Sequence, residues 1–235
     1  MLLDSELIEG TLIKRYKRFL ADVKLENGEI VTAHCPNSGS MKGYKEEGLR
    51  VWLSKSNNPK RKLAYTWEMV EDSSGEKIFV YAAKANTLVK EAIEQGKIKA
   101  LQGYEKIRTE VKYGSQNSRI DLLLEKDNEK CYVEVKSVTM KEGDTLMFPD
   151  SVTTRGQKHL QELMEVKAQG DRAFLFFAVL REGGKGFLPA KEIDPVYAQL
   201  LQESRDKGVE VLIYQVAFKD LEISLEKEID FISEQ

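Results

Sequence analysis

Asp121, Glu134 and Lys136 are the residues whose types and spacing point most directly to chemistry. They lie in RIDLLLEKDNEKCYVEVKS, Arg119 to Ser137, a stretch with two alternating arms. Ile120, Leu122 and Leu124 point one way on the first arm, and Cys131, Val133 and Val135 point one way on the second. The polar segment Lys126-Asp127-Asn128-Glu129 between them has a length usually built around a type I turn. Folding the arms about that loop sets Leu124 against Cys131 and Asp121 against Glu134. Directly opposed side chains sit about 4.5–5.5 Å apart at Cβ, where like charges repel. Lys136 follows on the same face, roughly 6–7 Å along the strand. Two carboxylates beside an ammonium suit a hard divalent cation with oxygen ligands, Mg2+ or Mn2+. The bland alternative is a solvated hairpin face whose charges pair with Lys126, Lys130 or Arg119.

The rest of the chain must position these groups. Its 235 residues suffice for one large domain or two small ones with real cores. Hydrophobic residues at 41% and charged residues at 32% exclude a disordered chain. Ala173–Leu180 is the longest apolar run, far short of the roughly 20 residues that span a bilayer, so no membrane partner is expected. Asp4, Glu6 and Glu9 stand where a signal peptide would be basic and then apolar, which makes the cytoplasm the default location. Cys35 and Cys131 have no C-x-x-C pairing, so neither a disulfide framework nor a zinc ribbon is suggested.

The pattern changes near residue 83, giving an expected division into 1–83 and 84–235. Strand-like segments run at Glu9–Tyr16, Phe19–Glu26, Ile30–His34, Leu49–Ser54, Lys62–Val70 and Lys77–Ala83, with Asn27-Gly28 as a hairpin turn. Five or so strands in so short a length fit a small OB-like β-barrel, with an SH3-like barrel as the other option. Lys14-Arg15-Tyr16-Lys17-Arg18-Phe19 interleaves bases with aromatics, as phosphate contacts and stacking platforms would. Lys60-Arg61-Lys62 adds a second cluster near Tyr65 and Trp67. Strand aromatics usually pack, so Tyr16, Phe19 and Trp67 are expected in the core. A net charge of −3 argues against a basic footprint over the whole surface, leaving local patches to carry nucleic acid.

Beyond residue 83 the order reads α-β-β-β-α-β. Asn86 is placed as the cap of a helix Thr87–Gln95 that Gly96 ends. Tyr104–Tyr113, the hairpin, a polar connection and a helix Thr153–Ala168 follow. Ala173–Leu180 then reads as a strand covered on both faces. Asp194-Pro195 opens another helix that Gly208 closes, and Val209–Phe218 and Leu221–Ile229 are later strands. If Tyr104–Tyr113 pairs with the hairpin around Gly114–Asn117, Glu110 falls opposite Asp121. Glu91, at the edge of the first helix's apolar stripe, could reach in from above. Each reads more readily as a surface charge than as a ligand. In Phe148–Leu163, Thr153 or Thr154 caps the helix and Leu160, Leu163 and Met164 form its buried stripe. Arg155, Lys158, His159 and Glu162 share the remaining face. Arg155, Lys158 and the free N–H groups of the helix start make an anion site, and Gly156 would admit a close backbone or phosphate.

The spacing D-x12-E-x-K, with the αβββαβ order, resembles the PD-(D/E)xK nuclease superfamily, the restriction-endonuclease-like fold. That resemblance implies a metal held by Asp121, Glu134 and the Val135 carbonyl, with Lys136 orienting water or phosphate. Two departures stand out: Ile120, not Pro, precedes Asp121, and Pro149-Asp150 follows the lysine. The segments HCPNSGSMKG, NTLVKEAI, VKYGSQNSRIDLLL, YVEVKSVT and FPDSVTTRGQKHLQEL, in order from His34 to Leu163, resemble the sugar fermentation stimulation (SfsA) family. This resemblance implies an OB-like domain followed by a nuclease-like one in a DNA-binding protein linked to regulation of sugar (maltose) metabolism. Two readings follow. One is a non-specific DNA binder that regulates, using Lys14, Arg15, Lys17, Arg18, Arg119, Arg155 and Lys158. The other is an active metal-dependent nuclease of DNA or RNA without a regulatory role, with Asp121, Glu134 and Lys136 catalytic. The sequence leaves the oligomeric state open, a homodimer included.

Overall fold

The computed structural model describes residues 1–3, 6–114 and 118–232. Six strands come first: β1 (Ile8–Tyr16), β2 (Leu20–Leu25), β3 (Ile30–His34), β4 (Arg50–Lys55), β5 (Tyr65–Glu71) and β6 (Lys77–Phe79). They pair in the order β3-β2-β1-β4-β5-β6, and a short parallel pairing of β3 with β5 closes the first five into an OB-type barrel. Alternation puts Leu12, Val23, Ala33, Val51, Leu53 and Trp67 inside, where all are fully buried. Gly10 is required by the tight barrel wall: a Cβ there would lie 2.6 Å from the Val23 side chain and 2.8 Å from the Lys24 carbonyl.

The second unit is built from α1 (Ala85–Glu94), β7 (Lys106–Tyr113), β8 (Ser118–Lys126), β9 (Glu129–Val138), β10 (Met140–Glu142) and β11 (Thr145–Phe148). It continues with α2 (Thr154–Ala168), β12 (Arg172–Val179), β13 (Gly186–Pro189), α3 (Pro195–Asp206), β14 (Glu210–Lys219) and β15 (Glu222–Glu228). Its main sheet has the order β15-β14-β12-β9-β8-β7. β9, β12 and β14 run parallel, joined by the crossovers through α2 and α3. One face packs α1, through Leu88, Val89 and Ala92, on Leu122, Leu124, Val133, Phe174 and Phe176. The other packs α2, through Leu160 and Leu163, on Ile120, Leu175 and Phe177. This double cover explains the unbroken apolar run of β12. Among the described residues no helix is long and apolar enough to cross a membrane.

Several sequence expectations need correction. The hairpin turn is tighter than expected: Lys126 pairs with Glu129, leaving Asp127 and Asn128 as a two-residue loop with Asp127 at φ 50°. The strand expected through Ala83 ends at Phe79, and Ala82–Lys84 is a 3-10 turn leading into α1. Asn86 lies inside α1 rather than capping it, since the helix begins at Ala85 and the cap position, Lys84, makes no side-chain cap bond. The polar connection after the hairpin contains a three-stranded sheet, β10-β11-β13, which joins segments about 40 residues apart in sequence. Of the loop expected at Gly114–Asn117, residues 115–117 lie outside the described residues. Residues 1–3 leave the barrel unit altogether: Leu2 bridges Glu222, and Met1 and Leu3 join the core under α1. Apolar side chains next to an open strand edge account for that placement.

The two units are fastened to each other. The Phe79 N–H donates to the Leu180 carbonyl at 2.7 Å, and Met69 and Phe79 enter the second unit's core. Arg181, 4% exposed, donates to Asp72 and Glu76 of the barrel and to the Thr139 carbonyl. Lys141 joins the same Glu76. Removing Arg181 strands the Asp72 carboxylate, 9% exposed, and leaves Glu76 to Lys141 alone. Arg181→Ala is therefore expected to cost about 3–5 kcal/mol of unfolding free energy in a denaturant titration. A loss under about 1 kcal/mol would show that apolar contact alone holds the seam.

Candidate metal and nucleic-acid site

The site lies where β8 and β9 part. Their ladder follows the register read from the sequence, Leu124 opposite Cys131, and runs no further than Leu122 opposite Val133. Asp121 fills the gap beyond. Its Oδ2 accepts the Val135 N–H at 2.8 Å, replacing a missing ladder bond, and its Oδ1 accepts Asn86 Nδ2 at 2.7 Å. Burial first, then the charge of Glu134, push the Asp121 carboxyl up to about 6; Val135, Asn86 and Lys136 pull the other way.

Glu134 is buried in β9 at 2% exposure. Lys136 Nζ donates to its Oε1 at 2.7 Å, and His159 Nδ1 meets the same oxygen. Arg155 Nε donates to His159 Nε2 at 3.4 Å, and His159 Nδ1, which Lys136 Nζ also approaches at 3.1 Å, faces Glu134. Burial opposes the charge of Glu134, but the His159 bond and the Lys136 ammonium outweigh it and hold the carboxyl below its usual range. Both donors reach one oxygen. Glu134 Oε2 stays buried with no hydrogen bond among the described residues.

α2 supplies more than the sequence suggested. His159 and Glu162, expected on the polar face, point into the protein at 4% and 0% exposure. Neither Glu162 oxygen has a hydrogen-bond partner among the described residues, and a side chain at Gly114 (φ +69°) would strike Glu162 Oε1. The Tyr113 hydroxyl is likewise buried without a bond; burial, then Glu134, Glu162 and Asp121, raise its pKa and keep it protonated. The site therefore concentrates bare acceptor oxygens around Asp121, with Lys136 at its rim, 12% exposed. Such an arrangement attracts a cation, since a buried carboxylate without a donor costs several kcal/mol (~3 or more). Among the described residues, no three His, Cys, Asp or Glu side chains stand together as a metal cage.

The structure thus brings together Asp121, Glu134, Lys136 and the Val135 backbone, and adds Asn86, His159, Glu162 and Tyr113. It separates the two extra acids. Glu91 pairs with the Met1 ammonium at 2.8 Å. Glu110 keeps the register read from the sequence, level with Asp121 between the pairs Thr109–Leu122 and Val111–Ile120, but at φ 54° its side chain is exposed instead of joining the site. Thr153 caps α2, accepting the Gly156 N–H. Gly156 is explained by packing rather than by phosphate: a Cβ would meet Thr153 at 2.8 Å and Tyr197 at 3.0 Å. Arg155 and Arg119 are exposed, and Lys158 is half-buried.

The basic run of the barrel divides. Lys17 and Arg18 are exposed at the β1–β2 turn, and Phe19 is 50% exposed beside them rather than in the core. Lys14 lies over the Tyr16 ring, whose hydroxyl donates to Asp22, so Tyr16 is half-buried at the surface while only Trp67 is core. Arg15 is a structural residue: its Nη2 donates to the Asn37 and Gly39 carbonyls.

Comparison with known proteins matches residues 13–80 to the SfsA N-terminal OB domain and residues 83–222 to the sugar fermentation stimulation protein RE domain. A sugar fermentation stimulation protein homolog of Geobacter metallireducens is 53% identical over 99% of this chain and 100% of its own. The homolog of Geotalea uraniireducens is 56% identical over 92% of each chain. The solved structure of Pyrococcus furiosus SfsA in complex with Ca2+ matches with a TM-score of 0.88 at 26% identity, covering 99% of this chain and 98% of that one.

The raised Asp121 pKa has a stability signature. Below the ordinary aspartate range both folded and unfolded chains are protonated there. As pH rises toward about 6 the unfolded chain loses the proton first, so this group's contribution falls across that window and stays low above it. Melting temperatures of wild type and Asp121→Asn across pH 4–7 are expected to diverge, with wild type losing ground as pH rises. A constant difference would show that Asp121 titrates normally.

Proposed function

The chain belongs to the sugar fermentation stimulation protein (SfsA) family, and on that premise we propose that it binds nucleic acid without sequence preference and hydrolyses phosphodiesters at Asp121, Glu134 and Lys136 with a divalent cation. One observation carries this reading: a buried carboxylate and a half-buried one converge beside a lysine, and one carboxylate oxygen, Glu134 Oε2, has no hydrogen bond among the described residues. The residues fit Mg2+ or Mn2+. Mg2+ is commonly held by one or two carboxylates together with substrate phosphate, not by an all-protein cage. Asp121 and Glu134, with the Val135 backbone, are the groups to hold it. The Pyrococcus furiosus relative was solved in complex with Ca2+, itself a hard divalent cation, which supports this reading.

A bound cation would supply charge to the scissile phosphate and acidity to water beside it. The protein's own residues do the rest. Asn86 and the Val135 N–H fix the Asp121 carboxylate in one orientation. His159 does the same for Glu134 and is itself steadied by Arg155. Lys136 lies at the rim, where its ammonium can meet charge that builds on the phosphate in the transition state. The exposed Lys17, Arg18 and Phe19 of the barrel, with Arg119 and Arg155, offer phosphate and stacking contacts outside the site. DNA is the primary partner in this reading, and RNA is tested beside it. A role in sugar (maltose) metabolism would act through such binding.

Incubating the pure protein with plasmid, single-stranded DNA and RNA, each with Mg2+, Mn2+ or EDTA, tests this directly. Cleavage is expected only with metal, and Lys136→Ala should lower it on the order of 100-fold or more while oligonucleotide affinity barely moves. Joint loss of binding and cleavage would make Lys136 a backbone anchor instead. No cleavage under any condition would leave a binder and end the phosphodiesterase reading. Separately, Mg2+ or Mn2+ should raise the wild-type melting temperature and leave that of Asp121→Asn unchanged. An equal shift in both proteins would move the metal elsewhere.

A further inference from the structure

A cavity of about 380 Å3 lies on the seam between barrel and second unit, lined by Ser54, Lys55, Ser56, Asn57, Arg61 and Lys84, with Leu3, Thr66, Glu68 and Tyr81 completing its wall. Its charge is unlike that of the whole protein. Among the described residues of its wall, three cations, Lys55, Arg61 and Lys84, face one carboxylate, Glu68, in a chain whose net charge is −3. Glu68 is turned into the wall at 6% exposure, where its Oε1 accepts the Ser54 hydroxyl at 2.7 Å. Lys55 and Arg61 are exposed at the mouth. Each is oriented by a neighbour: Lys55 Nζ lies 5.5 Å from the Tyr65 ring centre, and Arg61 Nη2 donates to Thr66 at 2.7 Å. Arg61 keeps its remaining donors for a ligand, and Ser56 and Asn57 add neutral ones.

Position gives the cavity its meaning. Tyr81 and Lys84 close it on the side of the second unit, and Asn86, two residues further on, holds Asp121. The first turn of α1 therefore separates a basic polar cavity from the acidic site. The geometry points to this cavity as a subsite for a backbone phosphate of the nucleic acid, some nucleotides away from the phosphate at Asp121. The inference rests on the proposed function for its ligand, and it names a contact that the basic run at residues 14–18 does not supply. Confined here, positive charge attracts the backbone while leaving the carboxylates of the site able to keep a cation. The Tyr81 ring, with Lys84 Nζ 5.5 Å from its centre, gives an adjoining base a surface on which to stack.

The test measures anisotropy of a labelled single-stranded oligonucleotide over a salt series in EDTA, so that binding is read without cleavage. Variants are Lys55→Ala/Arg61→Ala and a charge-matched control, Lys207→Ala/Lys219→Ala. Loss of two phosphate contacts should weaken binding on the order of 10-fold and reduce the salt slope by about 1.4. The control should stay close to wild type. Lys55→Gln/Arg61→Gln serves if the alanine pair melts early. Equal weakening in pocket and control variants, or none in the pocket variant, would overturn the subsite. A competition arm with inorganic phosphate separates the two sources of the ligand's chemistry. If phosphate protects wild type thermally while the pocket variant binds oligonucleotide normally, the cavity takes free phosphate and the backbone assignment fails. The metal-dependent rise in melting temperature should persist in the pocket variant. Its absence from wild type would sink the metal reading alone and leave the oligonucleotide result to judge the cavity.

Discussion

The parting of β8 from β9 beyond Leu122 and Val133 is the constraint on which the rest of the structure turns. A continued ladder would use the Val135 N–H for a strand bond and push Asp121 onto a flat sheet face beside Glu134. Instead Asp121 itself takes that N–H, and the two strands diverge around a buried acidic pocket. The pocket is electrostatically lopsided. Lys136 and His159 satisfy one oxygen of Glu134, whereas Asp121 receives two neutral donors and bears the full cost of its burial. Fold stability is given up there, and on the proposed reading that loss serves affinity toward a cation, a trade often concentrated at functional sites.

That pocket has to be held by elements remote in sequence. Asn86 arrives on α1, directly after the 3-10 turn that leaves the barrel. His159 and Glu162 arrive on α2, which Asp194 ties to α3 through the Thr153 N–H and Gln157 while capping α3 itself. The barrel cannot drift relative to the site, because Phe79 is bonded to Leu180 and Arg181 is buried among barrel carboxylates. A rigid seam of this kind makes any groove along it a fixed ruler between a barrel contact and Asp121.

Much of this was legible in the sequence. Period-two alternation fixed the hairpin register to the residue, and the order of helices and strands emerged because each element has a clean apolar face. The failures at polar residues share a physical cause: a polar side chain implies a solvent-facing position by default. His159 and Glu162 lie on a helix face that turns inward because the facing sheet is itself polar at Glu134 and Lys136, and a one-dimensional stripe cannot show that. Asn86 has the composition of a cap, and only the location of Asp121 shows what its amide is for. Phe19 failed in the other direction, since a tight turn with Lys17 and Arg18 at positive φ lifts it off the barrel. β10, β11 and β13 are three or four residues each: the β10–β11 hairpin is too short for its alternation to stand out, and β11 pairs with β13 only across a long separation.

The negative net charge is then less of an obstacle to nucleic-acid binding than it first looks. Charges separated by more than a Debye length of about 8–10 Å are largely screened from one another, so a phosphate reads only its neighbourhood. Many carboxylates here are already neutralised locally: Glu9 by Arg50, Glu76 by Arg181 and Lys141, Glu226 by Lys219 and Glu134 by Lys136. Among the described residues, Lys17 and Arg18 at the β1–β2 turn and Lys55 and Arg61 at the mouth of the seam cavity form no carboxylate ion pair of that kind. Lys17 and Arg18 project from a turn, and Lys55 and Arg61 are oriented by a ring and a hydroxyl rather than by carboxylates. Distribution rather than total charge decides where a polyanion can lie, and on the proposed reading the seam cavity, one helical turn from the residue that holds Asp121, is where it would lie.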